Sequence, residues 1–333
     1  MKRKLASIQR ILDVSPIEEA DTIETVQVLG WQVVARKDDF KPDDLCVYVE
    51  IDSVLPDRPE FDFLRKAKFR VKTIRLRGQI SQGICFPLSI LPNGEYSVGD
   101  DVTDIIGVEK WEPSVPIQLR GIMKRFRPHW IRKTDEPRLQ SFPEVLEEIR
   151  GLSLYITRKD DGTSFTAYLK DGEFGVCSRK VDLKENDDNT YWKMARKLNL
   201  EEKLSSLPFN AAIQGELVGP QIQGNRLGLK EHELRIFNVW NIDEQKFLDF
   251  EPFIETVLLK LRLDPVSIIE YGYIHEKSHD VKTFLEMARG TYPNGQPREG
   301  IVIRPMVEQY SKALEGRLSF KVINNDFLLK YGE

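Results

Sequence analysis

A chain of 333 residues, 41% hydrophobic and 31% charged, is long enough for two domains with sizeable cores and too apolar for a disordered polymer. Its net charge of −4 means that any contact with nucleic acid has to come from a local basic patch. Three cysteines, Cys46, Cys85 and Cys177, are odd in number and far apart. Disulfide and zinc frameworks are therefore not expected, and a reducing, cytoplasmic or otherwise intracellular compartment is. No signal peptide opens the chain and no apolar run reaches membrane length, so neither a membrane nor an obligate protein partner is called for. The pair His275 and His279 is read as a polar segment near a helix start rather than as a metal site.

Residues 1–108 predict a β-rich module. Thr22–Leu29 alternates apolar and polar residues, Gly30 interrupts, and Trp31–Ala35 follows. Leu45–Ile51, Arg70–Arg77 and Ile84–Leu88 complete about five strands with turn residues between them. That density of short strands suits a small closed barrel of the OB type. Arg75 and Arg77 are expected on one strand face, where they are candidates for nucleic-acid contact.

Residues 109–137 form a linker of different character, with Pro113, Pro116, Pro128 and Pro137. Between Ile117 and Thr134 there is no acid, while Arg120, Lys124, Arg125, Arg127, Arg132 and Lys133 are interleaved with Phe126, His129 and Trp130. Cations match phosphates and aromatic faces stack on bases, so Lys124, Arg125 and Arg127 are candidate nucleic-acid contacts.

Residues 138–333 mix strands and helices. Pro143–Gly151 predicts a short helix, and Lys170-Asp171-Gly172-Glu173 a hairpin turn. Asp188–Leu204 predicts one helix, Phe253–Leu263 another, and Asp280 caps a third that ends near Gly290. Leu234–Ile242, Glu299–Arg304 and Leu318–Ile323 predict strands.

The stretch around which this half is organised is Lys159-Asp160-Asp161-Gly162, a tight turn between two strands. It resembles motif I of the covalent nucleotidyltransferases, the ATP-dependent ligases and mRNA capping enzymes, in which the lysine is the nucleophile. The other motifs follow in order. Ser178-Arg179 is similar to motif Ia, and Gly215-Glu216 to motif III, with the RNA-ligase-like continuation Leu217-Val218-Gly219-Pro220. Trp240-Asn241-Ile242 stands where motif IIIa has Phe-Asp-Ile; Glu299-Gly300-Ile301-Val302-Ile303 is similar to motif IV, and Phe320-Lys321-Val322 to motif V. Capping enzymes and DNA ligases carry an OB-fold after motif V, whereas this sequence runs about ten residues past Lys321 and places a barrel before motif I. That layout, with Arg138-Leu139-Gln140 upstream of Lys159, resembles the fifth family of RNA ligases, the Deinococcus and Naegleria type.

The resemblance implies an α+β fold: an N-terminal OB-like barrel, then a nucleotidyltransferase (ATP-grasp-like ligase) domain of antiparallel sheets with flanking helices. It implies an enzyme that joins 3′-OH and 5′-phosphate RNA ends at nicks or breaks in duplexes, with ATP as AMP donor and Mg²⁺ or Mn²⁺ as cofactor. The alternatives are a DNA ligase, a GTP-using capping enzyme or a non-catalytic nucleic-acid binder. Lys159 would carry the AMP. A lysine with pKa near 10.4 needs about 4 kcal/mol to lose its proton at neutral pH, and carboxylates alone make this harder. Asp161, Glu216 and Glu299 are therefore expected to hold a hydrated divalent cation, whose field opposes lysine protonation. Arg138, Arg179, Glu216 and Lys321 are expected to contact ATP or its phosphates, and Trp240 to stack on adenine, with Phe237 as rival. The pattern departs from motif V at Ile323, where a second lysine is usual, and Lys330 is a possible substitute.

Overall fold

The computed structural model describes residues 3–112, 121–273 and 280–332. Pro113, Pro116, Arg120, His275 and His279 lie outside the described residues. The chain divides into two compact units: Met1–Ser114 with Arg138–Glu144 and Asn325–Glu333, and Val115–Pro137 with Val145–Asn324.

The first unit is built on β1 (Ala6–Pro16), β2 (Ile23–Val28), β3 (Trp31–Arg36), β4 (Leu45–Val49), β5 (Ser53–Val54), β6 (Thr73–Leu76), β7 (Gln79–Gln82), β8 (Ile84–Pro87) and β9 (Glu109–Lys110). Five of these form an antiparallel sheet in the order β3-β2-β1-β4-β8. β1 pairs through its first half with β4 and through its second half with β2. A register shift between Ile11 and Asp13 bends it, so one long strand serves both halves of the curved sheet. The Val34 amide donates to Ser81 Oγ at 3.0 Å, and Gln32 Nε2 to the Ile80 carbonyl at 2.9 Å, bringing β7 against β3. Alternate residues Ile8, Val26, Val28, Trp31 and Val47 point inward and are fully buried, as the alternating pattern requires. The expected OB-type barrel is thus present.

One expectation changes. β6 and β7 form a separate two-stranded ribbon, and Arg77 falls in its turn at φ 44°, outside the strand. Arg75 donates to the Gly78 carbonyl across the same turn, so the two arginines do not share one strand face. Arg138–Glu144 packs with the first unit. The Gly30 amide donates to the Gln140 carbonyl at 2.9 Å, and a Cβ on Gly30 would stand 2.8 Å from Gln140 Cα. The helix Asn325–Tyr331, which carries Lys330, belongs to this unit as well; Gln82 Nε2 donates to Asn325 Oδ1 at 3.2 Å.

The second unit contains β10 (Met123–Phe126), β11 (Ser153–Lys159), β12 (Thr163–Lys170), β13 (Glu173–Cys177), β14 (Val181–Leu183), β15 (Ala211–Val218), β16 (Glu233–Asn241), β17 (Lys246–Phe247), β18 (Ile268–Tyr273), β19 (Gly300–Pro305), β20 (Tyr310–Ser311), β21 (Gly316–Arg317) and β22 (Phe320–Ile323). Two antiparallel sheets dominate: seven strands in the order β10-β14-β13-β12-β15-β16-β17, and four in the order β18-β11-β19-β22. The β12–β13 hairpin turns at Asp171 (φ 50°) and Gly172 (φ 82°), the left-handed pair that a tight two-residue turn requires.

The seven-stranded sheet has two unlike faces. Phe165, Ala167, Ile213, Leu217, Ile236 and Val239 pack against the helices Thr190–Lys197 and Leu200–Ser205 and the helix that starts at Phe250. The opposite face carries Ser164, Thr166, Gln214, Glu216, Arg235 and Asn238. The single helix expected over Asp188–Leu204 is two, because Asn199 adopts φ 51° and breaks the run; asparagine tolerates that left-handed geometry better than most residues. The Asp280 cap is present, its Oδ1 accepting from the Thr283 amide at 2.6 Å.

Candidate active site

Lys159 is the last residue of β11 and Thr163 the first of β12, yet the two strands belong to different sheets. The turn Asp160-Asp161-Gly162 is therefore a crossing from one sheet to the other and not a hairpin. Gly162 is required by proximity. A Cβ there would meet the Leu217 carbonyl at 2.5 Å and Glu216 Cγ at 2.8 Å. The missing side chain lets the turn press onto β15, which brings Glu216 to the lysine.

Lys159 and the two aspartates of the turn each have an ionic partner. Lys159 Nζ lies 2.8 Å from Glu299 Oε2, with 23% of the lysine side chain exposed. Asp160 is completely buried between Arg158 (2.6 Å) and Arg235 (2.7 Å). Asp161 pairs with Arg226 at 2.6 Å. Glu299 immediately precedes β19, and Gly300 stands opposite Lys159 in the ladder. A side chain on Gly300 would lie 2.1 Å from the Val322 carbonyl, so glycine after Glu299 keeps β19 against β22.

The electrostatics of this cluster are unbalanced. Burial pushes the Glu216 carboxyl up to about 8; Lys159 opposes this, and Glu299, Asp161 and Asp160 add to it. Burial by itself lowers the Lys159 amine, but Glu299, Glu216 and Asp161 outweigh it and hold the amine well above its usual value. The carboxylates thus hold Lys159 protonated and oppose ionisation of Glu216, and a divalent cation beside them would reverse both effects. Among the described residues no three carboxylate, histidine or cysteine side chains converge into a ready cage. The donor set fits a cation that keeps water and takes oxygens from a phosphate.

The remaining expected residues are distributed unevenly. Lys321 in β22 stands in the same row as Val302 and Thr157, two residues along the ladder from Lys159, so it shares that sheet face. Ile323, buried, occupies the row of Lys159 itself. Arg179 sits in the turn between β13 and β14, exposed and paired with Asp135. Arg138 belongs to the first unit, where it pairs with Asp52 at 2.8 Å. Trp240 is not brought to the lysine. It is 3% exposed in a small cluster with Ile131, Tyr168, Cys177 and Ala212, and its indole N–H donates to the Trp130 carbonyl at 3.0 Å. Phe237 falls in the register shift of β16 opposite Gln214 and Gly215, nearer the row of Glu216.

Two cations of the basic segment are neutralised. Arg125 pairs with Glu173 (2.8 Å) and the buried Asp182 (2.9 Å), and Lys124 with Glu173 (2.9 Å). Arg127 is different: both terminal nitrogens are buried without a hydrogen-bond partner. Burial lowers its pKa and Arg179 adds to that, against the opposing pull of Cys177 and Asp135. Arg226, Arg235 and Tyr292 are site residues that sequence reasoning missed. Arg226 follows motif III closely, which is the one signal that could have found it.

A family model described as an OB-fold domain matches residues 5–88, and one described as RNA ligase matches residues 152–323. No curated protein matches the sequence. Among solved structures, a Naegleria gruberi RNA ligase mutant with AMP and manganese is 36% identical, with 98% of each chain covered and a TM-score of 0.87. A second mutant of that ligase, with ATP and manganese, is 35% identical over 99% of this chain and 100% of its own, with a TM-score of 0.88. The Naegleria gruberi RNA ligase with pyrophosphate is 35% identical over 98% of each chain, with a TM-score of 0.86. With a lysine held against carboxylates from three motifs, and matches that span both units, the chain belongs to the RNA ligase family.

Proposed function

We propose that this ATP-dependent RNA ligase joins 3′-OH and 5′-phosphate ends through an AMP carried on Lys159. The observation that carries the reading is the Lys159–Glu299 contact at 2.8 Å, inside a cluster whose Glu216 carboxyl titrates near 8. Lys159 Nζ attacks the α-phosphorus of ATP; a phosphorus–nitrogen bond forms and pyrophosphate leaves. The AMP then passes to a 5′-phosphate and frees the lysine. A 3′-OH finally displaces AMP and closes the strand. Asp161, Glu216 and Glu299 would hold Mg²⁺ or Mn²⁺, which when bound supplies positive charge against the ammonium and the α-phosphate.

Within this sequence of steps the chain's own residues orient and neutralise. Lys321, on the face of Lys159, is assigned to a phosphate. Arg179 is assigned to a phosphate, and the terminal nitrogens of Arg127, buried without a hydrogen-bond partner, suit a phosphate of the nucleic acid. Phe237 replaces Trp240 as the residue we assign to adenine, since the Trp240 ring and N–H are already engaged. Arg138 remains assigned to a phosphate, and Lys330 is the candidate for the place of the second lysine of motif V. Residues 1–108, with Arg75 and Arg77, are assigned to holding the nucleic acid. The linker 109–137, with Lys124 and Arg125, adds to that contact, and residues 138–333 transfer the nucleotide. RNA on the 3′-OH side of a nick is the assigned substrate. Free thiols at Cys46, Cys85 and Cys177 suit a reducing compartment, and no described helix is long and apolar enough to cross a membrane.

The test is to incubate the full chain with Mn²⁺ and α-labelled ATP or GTP, then denature it and look for labelled protein. Label from ATP, absent in Lys159→Ala, is the expected result. Label from GTP alone would indicate capping chemistry, and no label would indicate a binding protein. Nicked duplexes with RNA or DNA on the 3′-OH side then decide the strand.

A further inference from the structure

We propose that Tyr292 is a positioning residue for lysine adenylation, its hydroxyl standing in for the next rung between β11 and β19 and so fixing Lys159 against Glu299. The inference rests on the nucleotidyl-transfer reading above.

The ladder between these strands runs from Leu154 opposite Pro305 to Lys159 opposite Gly300. The following rung would join Asp160 to Glu299. It does not form, because the chain leaves for the other sheet and Asp160 turns into its arginine pair. The Tyr292 hydroxyl fills the gap. It accepts from the Asp161 amide at 3.0 Å and from the Glu299 amide at 3.2 Å, and donates to the Lys159 carbonyl at 3.4 Å. One proton and two lone pairs are the full capacity of a hydroxyl, and all are used.

The ring is held as firmly as the oxygen. Tyr292 is 1% exposed and packs with Val218, Leu227 and Leu229. The Gly295 amide donates to the Tyr292 carbonyl at 2.9 Å, closing the turn Tyr292-Pro293-Asn294-Gly295, where Gly295 takes φ 80°, and the Tyr292 amide donates to the Gln296 carbonyl at 2.7 Å. From the same turn Asn294 Nδ2 donates to the Arg226 carbonyl at 2.9 Å, and Arg226 holds Asp161. One short loop therefore sets the backbone of Lys159, Asp161 and Glu299 together. Nothing of the kind is needed to fold the sheet, whose last regular rung is already made at Lys159.

Tyr292→Phe keeps the ring but leaves two enclosed amides without an acceptor and lets the two strand ends part. Displacement of a reacting group by about 1 Å costs on the order of 100-fold in rate. The experiment compares two reactions of the full chain with Mg²⁺: single-turnover lysyl-AMP formation from ATP, and sealing of a strand already carrying AMP on its 5′-phosphate. The expected result is an adenylation rate constant lower by about 10- to 100-fold, with the KM for ATP changed less than about threefold. Sealing of the pre-adenylylated strand should stay within about threefold of wild type. Wild-type adenylation kinetics in the variant would overturn the inference. So would parallel loss of both reactions, because the hydroxyl would then support the fold rather than the lysine. A wild-type protein that forms no lysyl-AMP at all would instead defeat the functional reading on which the inference stands.

Discussion

Replacing Glu216 by glutamine should stabilise the metal-free protein, and more so as the pH rises. In the folded chain this carboxyl titrates near 8, driven first by burial and then by the charges of Glu299, Asp161 and Asp160. In the unfolded chain it titrates near about 4.3. A group whose pKa is raised on folding contributes stability that is complete below the unfolded value and lost as pH climbs through the folded one. Glutamine mimics the protonated form and keeps what glutamate loses. At about 1.4 kcal/mol per pH unit, the advantage of Glu216→Gln grows from at most about 1 kcal/mol near pH 5 to about 5 kcal/mol near pH 9. Residual solvent contact reduces the upper figure to about 2–3 kcal/mol. Thermal unfolding in chelator, followed at both pH values, reads this directly. Adding Mg²⁺ at the higher pH should stabilise wild type more than the variant. A variant no more stable near pH 9 than near pH 5, relative to wild type, would refute the reasoning, as would an equal gain from Mg²⁺ in both proteins.

Gly162→Ala should cost about 1–3 kcal/mol and most of the adenylation, since its Cβ would stand 2.5 Å from the Leu217 carbonyl; chemical denaturation and AMP labelling check the two parts. Arg179→Ala removes only an exposed pair with Asp135 and should change stability by less than about 1 kcal/mol, so loss of sealing in that variant would report on substrate. Trp240→Ala should destabilise by about 3–5 kcal/mol, whereas Phe237→Ala should chiefly raise the KM for ATP; a raised KM from Trp240→Phe with no change for Phe237→Ala would reverse the adenine assignment.

Much of this site was legible from residue types in order. Lysine, acid and glycine at fixed spacing mark a turn that brings a nucleophile, a carboxylate and a bare backbone together. The structure places Asp161, Glu216 and Glu299 around Lys159, as the order of motifs implied. The sheet partition was not legible. Alternation says that β11 and β12 are strands, but not which neighbours they take, so a crossing between sheets looks the same as a hairpin. Asn199 ended a helix whose apolar spacing ran on through it. Arg125 was read as a candidate nucleic-acid contact because its own segment lacks acids; Glu173 and Asp182 come from β13 and β14, supplied by the fold. Trp240 was placed by the type of its ring, yet it stands three residues beyond Phe237, past the register shift of β16, in a small core. Tyr292 gave no sign at all, since a tyrosine before Pro-Asn-Gly reads as an ordinary turn.

The crossing at Lys159 has a bearing on what changes of length this chain can tolerate. Side chains along β12 alternate between the helix-packed face and the face that carries Ser164. Adding or deleting a single residue between Lys159 and Thr163 would invert that alternation, sending Phe165 and Ala167 to the polar face and Ser164 and Thr166 into the helix-packed core. Three connecting residues thus act as a spacer of fixed parity, and drift in this stretch is confined to exchange of one side chain for another.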